Sequence, residues 1–301
     1  MKTKTNTARV IKRICSRMQG IMPGKNGTAG HIALCVGMLM LATPAGAQQY
    51  EQEVEQALNA VKANEYDKAD SLFRQALKCS PSDIRNALIY SNMALINKMR
   101  GQSLEAIDNY STALAIAPQN IPILKARADL YLELNNHGKA LLDYSKIIDF
   151  DPHNSDALLA RAYIYQQRRD YYNAKKDYEA LLTADPHNYP ALLGTAILFQ
   201  NAGKPQEAII RLTLLIDEYP DKAELYSIRA EIEKEANQSE LAIMDLNKAI
   251  ELEPDNKNMV LSRAYLHMSE NNKRMALMDF ERAIELGIPR GQLRDELKRC
   301  K

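Results

Sequence analysis

The chain has 301 residues, 46% of them apolar and 26% charged, a composition that can bury a core and does not fit an unfolded chain. Its net charge of +1 hides a split: residues 1–47 hold seven of the 39 Lys and Arg and no Asp or Glu, leaving 32 basic residues against 38 acidic ones beyond them. An acidic remainder argues against a nucleic-acid backbone as partner, and the absence of Trp with abundant Ala and Leu leans towards an all-α chain.

The first segment reads as an address. Lys2, Lys4, Arg9, Lys12, Arg13, Arg17 and Lys25 precede an apolar run from Ile32 to Ala42, followed by Thr43-Pro44-Ala45-Gly46-Ala47. Eleven apolar residues fall short of the roughly 20 that cross a bilayer as a helix, and Ala45-Gly46-Ala47 offers a small-residue cleavage site. The expectation is a signal peptide over residues 1–47, cleaved before Gln48, with an exported mature chain in the periplasm or cell envelope. On this reading membrane contact comes only through the signal segment. The alternative is a membrane-tethered assembly factor that keeps this segment as an anchor. Two of the four Cys, Cys79 and Cys300, lie beyond it and are expected as separate free thiols.

From Tyr50 onward the chain repeats. Pro118, Pro152, Pro186, Pro220 and Pro254 stand 34 residues apart, with Pro81 one step of 37 before them. Numbering each unit so that its Pro is position 32 gives seven units: 50–86, 87–120, 121–154, 155–188, 189–222, 223–256 and 257–288. Position 8 is Ala57, Ala94, Ala128, Ala162, Ala196, Ala230 and Ala264; position 20 is Ala69, Ala106, Ala140, Ala174, Ala208, Ala242 and Ala276. Position 24 carries a large apolar or aromatic residue throughout, from Phe73 to Phe280. Positions 4, 7, 8 and 11 form one helical stripe and positions 20, 24 and 27 a second, so each unit predicts a helix hairpin. Turn formers such as Asn135-Asn136-His137-Gly138 separate the two helices, and the Pro ends the second. Asn154 and Asn188 are placed to cap the helices that follow.

The period, the two Ala columns, the large residue at position 24 and the Pro at position 32 together resemble tetratricopeptide repeats over residues 50–288. The resemblance implies an all-α fold, a right-handed α-solenoid of about seven helix hairpins. It implies a non-catalytic module that binds a protein or peptide, with the first helix of each hairpin lining a concave groove. Residues 289–301, with Leu293 and Leu297 among charged neighbours, are expected to form a capping helix. The family's chaperone-tail clamp is not supported, because Asn92 alone matches it.

One charged pattern runs inside the repeats. Arg127, Arg161, Arg229 and Arg263 occupy position 7 in the same four units that place Asp143, Asp177, Asp245 and Asp279 at position 23. The other three units lack both, which predicts a structural Arg–Asp pair within each of the four hairpins. Residues projecting away from the core stripe of the first helices give the candidate binding groove: Asn92, Leu95, Lys125, Asp129, Tyr163, Gln166, Ile197, Gln200, Glu231 and Tyr265, with the two Tyr as anchors. His153 and His187 fall in separate inter-unit turns, so neither metal nor cofactor is expected. No catalytic constellation or small-molecule substrate site is expected either, since the repeats fill the mature chain.

Overall fold

The computed structural model describes residues 45–300. The signal segment, apart from its last three residues, lies outside them. Fifteen α-helices follow one another, and no strand occurs among the described residues. In chain order these are α1 (Ala45–Lys62), α2 (Tyr66–Cys79), α3 (Asn86–Met99), α4 (Ser103–Ile116), α5 (Ile121–Glu133), α6 (His137–Phe150), α7 (Ser155–Gln167) and α8 (Tyr171–Ala184). They continue with α9 (Tyr189–Asn201), α10 (Pro205–Glu218), α11 (Ala223–Glu235), α12 (Ser239–Leu252), α13 (Lys257–Ser269), α14 (Lys273–Glu285) and α15 (Arg294–Arg299), the last preceded by a 3₁₀ turn, Arg290–Leu293. The chain forms two compact units, residues up to Arg161 and residues from Ala162, so the division falls inside α7. Within the first unit α1–α2, α3–α4 and α5–α6 pack as hairpins; within the second, α9–α10, α11–α12 and α13–α14 do.

The Ala columns sit where the helices of a hairpin approach. All fourteen are 2% exposed or less, and every position-24 side chain is buried with them. A small residue at the crossing lets axes come to the short end of the 8–10 Å packing range, and the large neighbour fills the space alongside. The second helix stops two residues before each Pro, as at Phe150 before Pro152 and Glu218 before Pro220. There Asp151 and Asp185 fold the turn by accepting the N–H of His153 and His187. Asn154 and Asn188 then cap the next helix, accepting from the N–H of Ala157 and Ala191 at 3.1 Å.

The turn inside each hairpin is uniform in a way that composition alone did not reveal. Position 15 has positive φ in all seven units: Asn64, Gly101, Asn135, Arg169, Gly203, Asn237 and Asn271. The N–H of the next residue reaches the position 11 carbonyl, as from Asn136 to Tyr131 at 2.7 Å and from Gln238 to Glu233 at 2.8 Å. This is the left-handed helix stop that Gly and Asn tolerate best. Arg169, at φ 60°, is the one residue there of neither type.

The Arg–Asp pairs of the third, sixth and seventh hairpins close bidentately. Arg127 donates to both oxygens of Asp143 at 2.8 Å, Arg229 to Asp245 at 2.7 Å, and Arg263 to Asp279 at 2.9 and 2.7 Å. Each guanidinium also reaches back to the preceding hairpin, where Nη1 donates to Ser111 from Arg127, Ser145 from Arg161, Thr213 from Arg229 and Asn247 from Arg263. These acceptors all occupy position 25. Each Arg bonded to both groups therefore ties three helices, its own two and the second helix before them. Asp177 is also buried.

The two ends depart from the repeat. The longer step after Pro81 makes room for Asn86, buried at 1% exposure, which donates to the carbonyls of Ser80 and Pro81 and accepts from the Tyr50 hydroxyl at 3.1 Å. At the other end Leu293, Leu297 and Cys300 pack onto Ala264, Ala276 and Phe280, so the terminal segment covers the last hairpin. It does so as a 3₁₀ turn and a six-residue helix.

Three variants test these joints by thermal or urea unfolding. Asp143→Ala strands the Arg127 guanidinium and is expected to cost about 3 kcal/mol, whereas Ser111→Ala removes one neutral acceptor and costs about 1 kcal/mol; no loss from Ser111→Ala would contradict the three-helix tie. Arg169→Asn is expected to raise stability by about 0.5 to 1 kcal/mol by easing the left-handed position, and a lower melting temperature would show that Arg169 is held there by contacts of its own.

Candidate interaction surface

In the first unit the candidate residues lie on α3 and α5, the first helices of successive hairpins. Leu88 and Leu95 stand exposed two turns apart on α3, with Asn92 between them donating to the Leu88 carbonyl at 2.8 Å. On α5, Lys125 bridges Asp129 at 3.3 Å and Asp156, at the start of α7, at 3.5 Å. The second bridge joins position 5 of one hairpin to position 2 of the next, so those positions of successive first helices share a surface. Asp129 also accepts from the buried Tyr144 hydroxyl.

The electrostatics follow from that geometry. Burial pulls the Lys125 ammonium down, but Asp129 and Asp156 outweigh it and hold its pKa above the ordinary lysine value. Burial, then the Asp129 carboxylate, pushes the Tyr144 hydroxyl well above the usual tyrosine range, so it stays a donor. With one cation against two carboxylates, this cluster keeps a residual negative charge.

The second unit treats its candidates differently. Tyr163, Gln166 and Ile197 are 6%, 3% and 2% exposed, so they belong to the packing and not to an open groove. This corrects the expectation of a Tyr163 anchor. A wheel drawn on one helix ignores the helices stacked against it on either side, and large side chains at its margin are covered by them. The Gln166 side-chain oxygen accepts from Tyr178 at 3.1 Å, while its amide nitrogen has no partner. Gln200, half-buried, donates to Glu235 at 3.0 Å and leaves its oxygen unpaired. Glu231 is half-buried. Tyr265, also half-buried, stacks edge-on against Phe280 at 5.2 Å and donates to Glu296 of the terminal helix at 3.4 Å. Tyr265 therefore serves the cap, not a free surface.

Sequence reading missed two buried titratable groups at position 11. Burial, then Asp245, lifts the Glu233 carboxyl to about 7 against the opposing pull of Arg229, and one of its oxygens is unpaired. Burial holds His267 below the usual histidine value, opposed by Asp279, with its Nδ1 unpaired. Each lies beside an Arg–Asp pair, and the signal was a carboxyl or imidazole in a column that is Ala60, Asn97, Tyr131, Tyr165 and Phe199 elsewhere. His187 pairs with Glu218 at 2.8 Å in its exposed turn. No group of three His, Cys, Asp or Glu suited to a metal occurs among the described residues.

Family models described as tetratricopeptide repeat match residues 125–189, 165–232 and 223–256. Among solved structures, a tetratricopeptide repeat protein from Parabacteroides merdae is 28% identical, with 84% of this chain and 99% of that one covered and a TM-score of 0.62. YrrB, described as a TPR protein with an unusual peptide-binding site, is 17% identical over 64% of this chain and 97% of its own at a TM-score of 0.52. PilW, a type IV pilus biogenesis factor, is 19% identical over 69% and 94% at 0.53. No curated protein matches the chain. With the period, the hairpins and these matches in agreement, the chain is a tetratricopeptide-repeat protein.

Proposed function

We propose that the chain is a non-catalytic scaffold of the bacterial cell envelope that holds a segment of a partner protein on the face formed by α3 and α5. The observation that carries this is the pair of exposed leucines, Leu88 and Leu95, on α3, followed on the first helices of the next two hairpins by the Lys125, Asp129 and Asp156 cluster. An apolar pair followed by a cluster with excess negative charge suits a segment that inserts apolar side chains and follows them with Lys or Arg. Asn92, between the two leucines, adds an amide oxygen for a main-chain N–H. A peptide-binding site on the same fold in YrrB supports this kind of use. Envelope placement rests on the basic leader, the eleven-residue apolar run and Ala45-Gly46-Ala47. The first turn of α1 begins at Ala45, so cleavage before Gln48 would remove three residues of that helix and leave its core side chains, Tyr50 and Ala57, in place.

The test is retention from an envelope extract, with the purified protein and a Leu88→Asp/Leu95→Asp variant as parallel baits. Both leucines are exposed, so the variant is expected to melt with the parent while losing the partner, a drop in affinity of at least about 30-fold. Retention of the same proteins by both baits would move the site elsewhere. A captured partner whose bound segment lacks cationic residues would contradict the charge argument.

A further inference from the structure

The second helices of the last three hairpins carry an apolar stripe that the partner face leaves unused. Ile210, Met244 and Met278 stand at position 22 of α10, α12 and α14, each 34 residues from the next. Leu214 lies one turn beyond Ile210, and Leu241 and Met275 lie one turn before Met244 and Met278 on the same helix faces. All six are between 37% and 65% exposed, although the core columns at positions 20 and 24, two residues either side of position 22, are closed to solvent. The stripe is bounded, because the fourth hairpin has the exposed Lys176 at position 22.

We propose that this stripe is the contact through which two copies of the chain associate. The six side chains leave on the order of 600 Å² of apolar surface open, at the upper end for one patch on a monomer and near the ~800 Å² per partner of a standard interface. An isologous contact needs a patch that fits itself, and an evenly spaced row of apolar knobs does so when a second row runs against it. Met244 then lies nearest the two-fold axis, and the Ile210 end of one stripe meets the Met278 end of the other. Three of the six are methionines, whose flexible side chains adapt to such a fit. The flanks mix Glu207, Glu240 and Glu281 with Arg211, Lys248 and Arg282, so no excess of positive charge draws the stripe to an anionic lipid surface.

Sedimentation velocity of the full chain over a concentration series from low to high micromolar tests this, with Met244→Glu/Met278→Glu and Leu88→Asp/Leu95→Asp in parallel. The parent is expected to pass from monomer to dimer. The methionine variant is expected to stay monomeric, its dissociation constant raised at least about 100-fold, with the same circular-dichroism melt when dilute. The leucine variant should dimerise as the parent does, so failure of the partner face and failure of this stripe give different results. A parent that remains monomeric throughout overturns the proposal, as does a methionine variant that dimerises normally. A monomeric parent that floats with phosphatidylglycerol vesicles also overturns it, and assigns the stripe to lipid.

Discussion

Close approach of the two helices at paired alanines is the constraint on which the rest of this structure depends. Fourteen alanines, two per repeat, are closed to solvent, and their smallness sets the distance at which a large residue at position 24 can seal each hairpin. Once that spacing is fixed, the turn must reverse in a few residues, which the left-handed position 15 provides in every repeat. Gly194 shows how tight the fit becomes where hairpins meet, because an added Cβ would lie 2.5 Å from the Tyr178 ring. In that repeat a helical glycine, ordinarily a cost of about 1 kcal/mol, is the condition for burying a tyrosine.

Apolar packing already couples each hairpin to the next. The arginines at position 7 add a directional link, since one planar group satisfies a carboxylate in its own hairpin and a hydroxyl or amide in the one before. Repeat stability is then a sum of local terms plus polar staples at chosen junctions. Elsewhere the Tyr50–Asn86 hydrogen bond runs from α1 to the start of α3, and Thr195, at position 7 of the fifth hairpin, bonds within its own helix to Ala191.

Much of this was legible in the sequence because the period repeats it seven times. Columns of Ala and Pro fix the hairpins, and the shared presence of Arg at position 7 and Asp at position 23 points to the pair. The third partner was equally available and was overlooked. Ser111, Ser145, Thr213 and Asn247 precede the arginine-bearing units, while Arg74 and Glu179 precede units without one. The surface was less legible, because exposure depends on neighbours that a single helix does not contain. Thus Tyr163 and Ile197, on the margin of their helices by angle, are covered, whereas Leu95 at the same repeat position is open. The exposed apolar stripe on α10, α12 and α14 escaped for the opposite reason, since methionine and isoleucine on a second helix read as core until the packing shows which face is filled.

The account stands most directly on the closeness of the alanine contacts, and urea unfolding of Ala208→Leu measures it. Ala208 is fully buried at the crossing of α9 and α10, so the three added carbons have no space and the helices must part. The expected result is a loss of about 1 to 3 kcal/mol, with helical content retained before the transition. The same enlargement at the exposed Ala115 is expected to change stability by less than about 0.5 kcal/mol. Equal stability of the Ala208 variant and its parent would mean that the hairpins do not depend on close contact at these columns.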